Sequence, residues 1–298
     1  MNKPAILVFA YHDVGYECLD ALIQNDEYVL AVITHEDDPE EELWFRSVAG
    51  LAKEYDIPVY TPESVNTPEW TERIRSWDPD LLFSFYYRNM IAEEILSIPR
   101  LGAFNMHGSL LPKYRGRAPI NWAVLHGEKE TGVTLHSMVK RADAGDIVDQ
   151  EPVPVLPDDT AQDVFNKAVK AARLVLERRL EALKNGSAPR RAQDESQATH
   201  FGGRKPEDGR IDWTQSAEKI YNLVRAVAPP YPGAFTEVEG EKLFIWWAKP
   251  LPGTGGTPGR VISVDPLVVA TGSGNLELIN SEYEDEDAVE LKMGQVLG

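Results

Sequence analysis

The chain opens on a short unbroken apolar run, Ala5 to Ala10, of the length that fits a strand buried on both faces. Gly15 to Gln24 follows with apolar residues at helical spacing, and the alternation then repeats. Tyr28 to Thr34 predicts a strand, Ser47 to Tyr55 a helix, Val59 and Tyr60 a short strand, and Pro68 to Trp77 a helix that Thr67 caps and Pro68 opens. Leu81 to Phe85 predicts the next strand, Ile91 to Leu96 a short helix, and Ala103 to His107 a strand running into a long polar loop. Thr131 to Val139 and Ile147 to Val155 alternate and are rich in β-formers, so both read as strands. Thr160 to Leu183 is a long amphipathic helix, capped by Asp159 or Thr160 and ended by Asn185 and Gly186.

Strands alternating with helices imply right-handed crossovers and a Rossmann-like, doubly wound, mostly parallel sheet, whose ligands bind beyond the carboxyl ends of the strands. From Ser187 to Arg210 the composition turns polar, with Gly202, Gly203, Pro206 and Gly209, which predicts a linker and a domain boundary near residue 200. Residues 1–200 would then form a catalytic α/β domain and 201–298 a second, smaller one. In that second part, Ala217 to Ala226 reads as a helix. Phe235 to Val238, Lys242 to Ala248, Gly259 to Val264, Leu267 to Thr271 and Asn275 to Ile279 read as short strands at regular spacing, the pattern of a small OB-like β-barrel.

Charge narrows the choice of partner. A formal net charge of -18 repels polyanions unless basic residues gather on one face, which counts against a nucleic-acid substrate, although part of that charge is local to the acidic runs at 36–42 and 282–287. Cys18 is the only cysteine, so an internal disulfide and a multi-thiolate zinc site are both excluded; its apolar neighbours make it a small core residue. No apolar stretch approaches the ~18 residues of a membrane span, and the N-terminal run is too short for a signal peptide, so no membrane insertion and a cytosolic setting are expected. The first loop, Tyr11 to Gly15, lacks the G-x-G-x-x-G spacing, which leaves NAD binding without support.

The richest segment runs from Phe104 to Pro119. Asn105 and His107 stand two apart on a strand, so their side chains leave one face and can converge on one atom. An amide donor and an imidazole so aimed can stabilise a developing oxyanion and move protons near neutral pH. Further on, the loop Lys140 to Asp146 carries Asp143 between small residues and can bring it beside His107, where a carboxylate favours the imidazolium. Taken singly, these residues read as a turn-capping asparagine, a structural histidine and a solvated turn aspartate. Lys113, Arg115 and Arg117 form a basic patch suited to phosphate or carboxylate, or simply a solvated loop. Arg225 and the segment Pro229 to Gly233 could close over a substrate or pack, and His12, His35, His126, His136 and His200 read as surface or packing residues.

Together, N-x-H-x-S-L-L-P-x-x-R-G from Asn105, T-G-V-T-x-H-x-M from Thr131 and D-A-G from Asp143 resemble the folate-dependent formyltransferases. The likeness extends from Ala10 to Gly15, through Phe83 to Asn89, to Val224 to Phe235, and is strongest to sugar-modifying members that act on UDP-4-amino-4-deoxy-L-arabinose in lipid A modification and polymyxin resistance. The resemblance implies 10-formyltetrahydrofolate as co-substrate, a nucleotide-sugar acceptor, no metal, and a partner dehydrogenase domain or protein. It implies that Asn105 stabilises the tetrahedral transition state, His107 transfers the proton and Asp143 raises the pKa of His107. It also implies folate contacts at Asn89, Met90, Ile91, Arg117, Val139, Lys140, Arg141, Ala142 and Asp143, with Asn89 standing where that branch carries histidine. Rival readings are methionyl-tRNA formyltransferase, an enzyme for a dTDP-linked 4-amino sugar, and a non-catalytic nucleotide- or folate-binding module. Acidic residues near the C-terminus weigh against the tRNA substrate.

Overall fold

The computed structural model describes residues 3–36, 44–253, 256–284 and 289–298, so residues 37–42 and 285–287 of the two acidic runs fall outside them. In chain order come β1 (Ala5–Ala10), α1 (His12–Gln24), β2 (Tyr28–Ile33), α2 (Val48–Glu54), β3 (Val59–Tyr60), α3 (Pro68–Trp77), β4 (Leu81–Phe85), α4 (Glu93–Leu96) and β5 (Gly102–His107). They are followed by β6 (Arg115–Gly116), α5 (Pro119–Leu125), β7 (Glu130–Ser137), β8 (Ile147–Pro154), α6 (Ala161–Lys184) and β9 (His200–Phe201). The last elements are α7 (Ala217–Val227), β10 (Ala234–Val238), β11 (Glu241–Leu251), β12 (Val261–Val264), β13 (Leu267–Ala270) and β14 (Asn275–Tyr283).

Side-chain caps fix several helix starts. The Gly50 N–H donates to Ser47 Oγ (3.1 Å) and the Trp70 N–H to Thr67 Oγ1 (3.3 Å). At α6, Thr160 and Asp163 cap reciprocally: the Asp163 N–H donates to Thr160 Oγ1 (3.2 Å) and the Thr160 N–H to Asp163 Oδ2 (2.9 Å). Helix α5, which the apolar pattern did not predict, follows Ala118 in the left-handed region (φ 50°) and buries Asn121 among Ile120, Ala123 and Val124, so a polar side chain interrupts its apolar stripe.

The chain divides into two compact units, residues 1–116, 131–153 and 166–201 in one, and 117–130, 154–165 and 202–298 in the other. The first holds a seven-stranded sheet in the order β3-β2-β1-β4-β5-β7-β8. Strands from β3 through β5 are parallel, and β7 runs antiparallel to β5. Strand order reverses between β1 and β4, which opens a crevice at their carboxyl ends. Leu7, Phe9, Ile33, Leu82, Ile74 and Ile95 pack together against one face of that sheet. The short strands predicted for the second unit form a five-stranded antiparallel sheet, β10-β11-β14-β13-β12. Ile220 and Val224 of α7 close its core against Ile245, Val269 and Leu276.

The polar stretch that read as a linker from residue 187 is structured as far as 201. Arg191 exchanges main-chain hydrogen bonds with Ile147 (2.8 and 2.9 Å), and β9 pairs in parallel with β6. Its polar side chains brace the first unit rather than solvate a free tether. Among the described residues, no helix is long and apolar enough to cross a membrane.

Candidate active site

Strand β5 presents Asn105 and His107 on one face near its carboxyl end. His107 is buried, and its Nε2–H donates to the Tyr114 carbonyl at 2.8 Å. That bond commits one ring nitrogen as donor and leaves Nδ1 as the basic one. Nδ1 faces Asp143 Oδ1 at 3.5 Å.

Asp143 reaches this position from the loop between β7 and β8, itself in the left-handed region (φ 55°). Its Oδ2 accepts from the Gly116 N–H at 2.9 Å. Gly145 lets the loop turn back: a Cβ there would lie 1.8 Å from the Ser137 carbonyl oxygen, which no other residue tolerates. Gln193 Nε2 donates to the carbonyls of Asp143 and Gly145, each at 2.7 Å. Gln193 is held in turn by Arg115, whose Nη2 and Nε donate to Gln193 Oε1 at 2.7 and 3.2 Å. The same guanidinium forks onto Glu195 at 2.7 and 3.1 Å, and Arg141 Nη1 donates to Glu195 at 2.9 Å.

Two readings of the sequence are corrected by these contacts. Arg115 is not part of an open basic patch; it is fully buried, and its charge is spent on Glu195 and Gln193, which hold the Asp143 loop. His136 is not a bystander. In the β5–β7 register it sits directly opposite Asn105, and its Nε2 lies 3.1 Å from Asn105 Nδ2 and 3.6 Å from Asp143 Oδ1. With Nδ1–H donating to the Ser137 carbonyl (2.9 Å), Nε2 presents a lone pair to the Asn105 amide. One N–H of Asn105 is thereby tied, which orients the other. A signal existed in the sequence: His136 alternates in phase with Thr134 on a strand, but which strand would lie beside it was not readable.

The electrostatics follow from burial and from these neighbours. Burial favours the neutral form of His107 and outweighs the opposing pull of the Asp143 carboxylate and the Tyr114 carbonyl, so its pKa lies below the usual histidine value of 6.5. Asp143 therefore pushes in the direction the resemblance implied, but the net shift is downward because desolvation wins. For Asp143 itself, burial would raise the carboxyl, yet the His107 and His136 imidazoles and the Gly116 N–H hold it well below the carboxylate range. Arg115, followed by Arg141, lowers Glu195 to about 2.

The other residues assigned to a co-substrate fall into distinct places. Asn89 Nδ2 donates to the Glu63 carbonyl (3.4 Å), and Asn66 clamps the next residues, donating to the Met90 carbonyl and accepting from the Ala92 N–H, both at 2.8 Å. Met90 and Val139 expose apolar side chains, 59% and 44% accessible, and Lys140, Arg141 and Ala142 are exposed too. Ile91 is buried in the core, so its side chain faces away from solvent. Arg117 is exposed and belongs to the second unit. Arg225, read as a closing group, is buried and donates to Asn222 Oδ1 and to the carbonyls of Asp159 and Val124.

The formyl transferase family matches residues 2–180, and the formyl transferase C-terminal domain matches residues 204–293. The chain belongs to the formyltransferase family. Solved structures share the fold of this formyltransferase. An N-formyltransferase from Helicobacter canadensis, in complex with folinic acid and dTDP-3-aminofucose, is 20% identical over 93% of this chain and 99% of its own, with a TM-score of 0.68. WlaRD, a sugar 3N-formyl transferase with dTDP and 5-N-formyl-THF, is 18% identical over 97% of this chain and 100% of its own, TM-score 0.69. A methionyl-tRNA formyltransferase from Clostridium thermocellum is 19% identical over 83% and 93%, TM-score 0.60.

Proposed function

We propose that this formyltransferase moves the formyl group of 10-formyltetrahydrofolate onto the 4-amine of a nucleotide-linked amino sugar, with UDP-4-amino-4-deoxy-L-arabinose as the acceptor its motifs favour. The observation that carries the reading is the meeting of Asn105, His107 and Asp143, in which one carboxylate oxygen lies between two imidazoles and beside an oriented amide. That acceptor would assign the reaction to lipid A modification, in the cytosol.

The residues present fit the co-substrate. Exposed Met90 and Val139 offer apolar surface to a flat ring, Lys140 offers charge to a carboxylate, and the clamped main chain at 89–92 offers fixed polar groups. 10-Formyltetrahydrofolate supplies the electrophilic formyl carbon. Asn105 donates its remaining N–H toward the formyl oxygen as negative charge gathers there. His107 Nδ1 takes the proton that the attacking amine must lose, and Asp143 stabilises the imidazolium so formed. His107 then returns that proton to the departing folate nitrogen: one C–N bond forms, one breaks, and the proton count balances.

A dTDP-linked 4-amino sugar would use the same chemistry, and the fold neighbours that hold dTDP support that second reading. Methionyl-tRNA would need a basic face, against a net charge of -18. Supplying 10-formyltetrahydrofolate with UDP-4-amino-4-deoxy-L-arabinose, a dTDP-4-amino sugar and charged initiator tRNA in parallel tests the proposal. Efficient transfer to the first supports it; transfer to tRNA alone overturns it.

A further inference from the structure

Asp143 is held at both ends, and the two holds meet. Its carboxylate accepts from the Gly116 N–H at 2.9 Å, while its main-chain carbonyl accepts from Gln193 Nε2 at 2.7 Å. Arg115, the residue before Gly116, closes the circuit by donating to Gln193 Oε1 from Nη2 and Nε. On the other side of Arg115, the Tyr114 carbonyl accepts from His107. The stretch from Tyr114 to Gly116 thus anchors both members of the His107–Asp143 pair, and one amide ties that stretch to the Asp143 loop. Gln193 fills its hydrogen-bonding capacity in doing so: Oε1 accepts twice from Arg115, and Nε2 donates once each to the carbonyls of Asp143 and Gly145. The reverse amide orientation would set NH2 against a guanidinium and oxygen against two carbonyl oxygens, so the orientation is fixed. The loop needs such a hold, because Asp143 has φ 55°, a region that a non-glycine residue keeps only when its surroundings impose it.

Asp143 Oδ1 stands 3.5 Å from His107 Nδ1, so any relaxation of the loop weakens the support that an imidazolium receives. We propose that Gln193 is a positioning residue for formyl transfer, its amide holding the Asp143 main chain so that the carboxylate stays against His107. This rests on the formyl-transfer reading of the site and adds to it the group that keeps the pair assembled. A residue that only satisfied buried Arg115 would have a simpler task, one that Glu195 already shares and that a glutamate at 193 could perform. Donation to the two loop carbonyls is what glutamate cannot supply.

Steady-state tetrahydrofolate release and amide hydrogen exchange, both on the whole chain, test the assignment with Gln193→Met, which keeps the length and removes every bond, and Gln193→Glu, which keeps the acceptor for Arg115. Gln193→Met lowers kcat by about tenfold to a hundredfold, the cost of moving a group in the site by about 1 Å. Gln193→Glu does not recover that loss, although its thermal midpoint stays close to the parent's. In Gln193→Met the acid limb of the pH profile moves to lower pH: of the groups facing His107, Asp143 and the Tyr114 carbonyl raise its pKa, whereas burial, His136 and Arg115 lower it. Adding Gln193→Met to Asp143→Asn lowers kcat by less than about threefold more, because both act through one carboxylate. Without any substrate, the Gly116 amide exchanges at least about tenfold faster in Gln193→Met, since its acceptor is the Asp143 carboxylate. The assignment fails if a folded Gln193→Met keeps the parental kcat, if Gln193→Glu restores it, if the two losses multiply in full, or if Gly116 exchange is unchanged. Formyl transfer by the parent alongside any of those results sinks the clamp but not the function; faster Gly116 exchange in Gln193→Met, with a parent that transfers no formyl group, sinks the function but not the clamp.

Discussion

His136 provides a demanding test, because its two ring nitrogens do different things: Nδ1 serves the Ser137 carbonyl and Nε2 serves Asn105. The amide of asparagine can stand in for Nδ1, and that of glutamine for Nε2. His136→Asn thus keeps the main-chain bond but frees Asn105, whereas His136→Gln keeps an acceptor for Asn105 and sacrifices the bond to Ser137. Deleting an oxyanion donor costs about 10²–10³ in kcat, and loosening one costs less, so His136→Asn should lower kcat by about tenfold to a hundredfold with little change in KM. His136→Gln should keep kcat within a few-fold while losing about 1–3 kcal/mol of stability, the cost of removing the hydrogen bond to the buried Ser137 carbonyl. Because His136 acts through Asn105, adding His136→Asn to Asn105→Ala should change kcat little further. The assay is tetrahydrofolate release at saturating acceptor, with urea melts for stability. Equal kcat in the parent and a folded His136→Asn, or full additivity with Asn105→Ala, would refute the positioning role.

Two further outcomes follow from the charges. Asp143 raises the His107 pKa against the lowering effect of burial, so Asp143→Asn should lower kcat and move the acid limb of its pH profile to lower pH; a limb moving upward would show that the carboxylate does not act on His107. His12 is lowered from 6.5 to about 4, chiefly by burial, so between those values the unfolded chain binds a proton that the folded one does not. Stability should be complete above pH 6.5 and fall as pH drops toward 4, by up to about 3 kcal/mol from His12, with His107 acting in the same direction; parental denaturant melts that coincide at pH 7.5 and pH 5, or a pH dependence that His12→Asn leaves unchanged, would contradict this.

Local pattern made much of this legible. The run at Ala5–Ala10, the Thr67–Pro68 helix start and the two-residue spacing of Asn105 and His107 are each set within a few residues, where period and capping chemistry decide structure. What escaped depends on contacts between distant segments. His136 joins Asn105 only through the antiparallel register of β7 on β5, and Gln193 and Glu195 reach the site only because β9 pairs with β6. A polar stretch looks like a linker until its partners are known, and a buried arginine such as Arg115 looks like a surface one until its carboxylate is found. Burial also reversed the net shift expected for His107, since spacing reveals a neighbouring charge but not the solvent lost around it.

The central claim, that His107 moves the proton during formyl transfer, is tested most directly by single-turnover transfer from bound 10-formyltetrahydrofolate to a saturating amino-sugar nucleotide, comparing the parent with His107→Asn. The account predicts a loss of at least about 10²-fold in the transfer rate with co-substrate affinity retained. A His107→Asn protein that transfers formyl at the parental rate would contradict it.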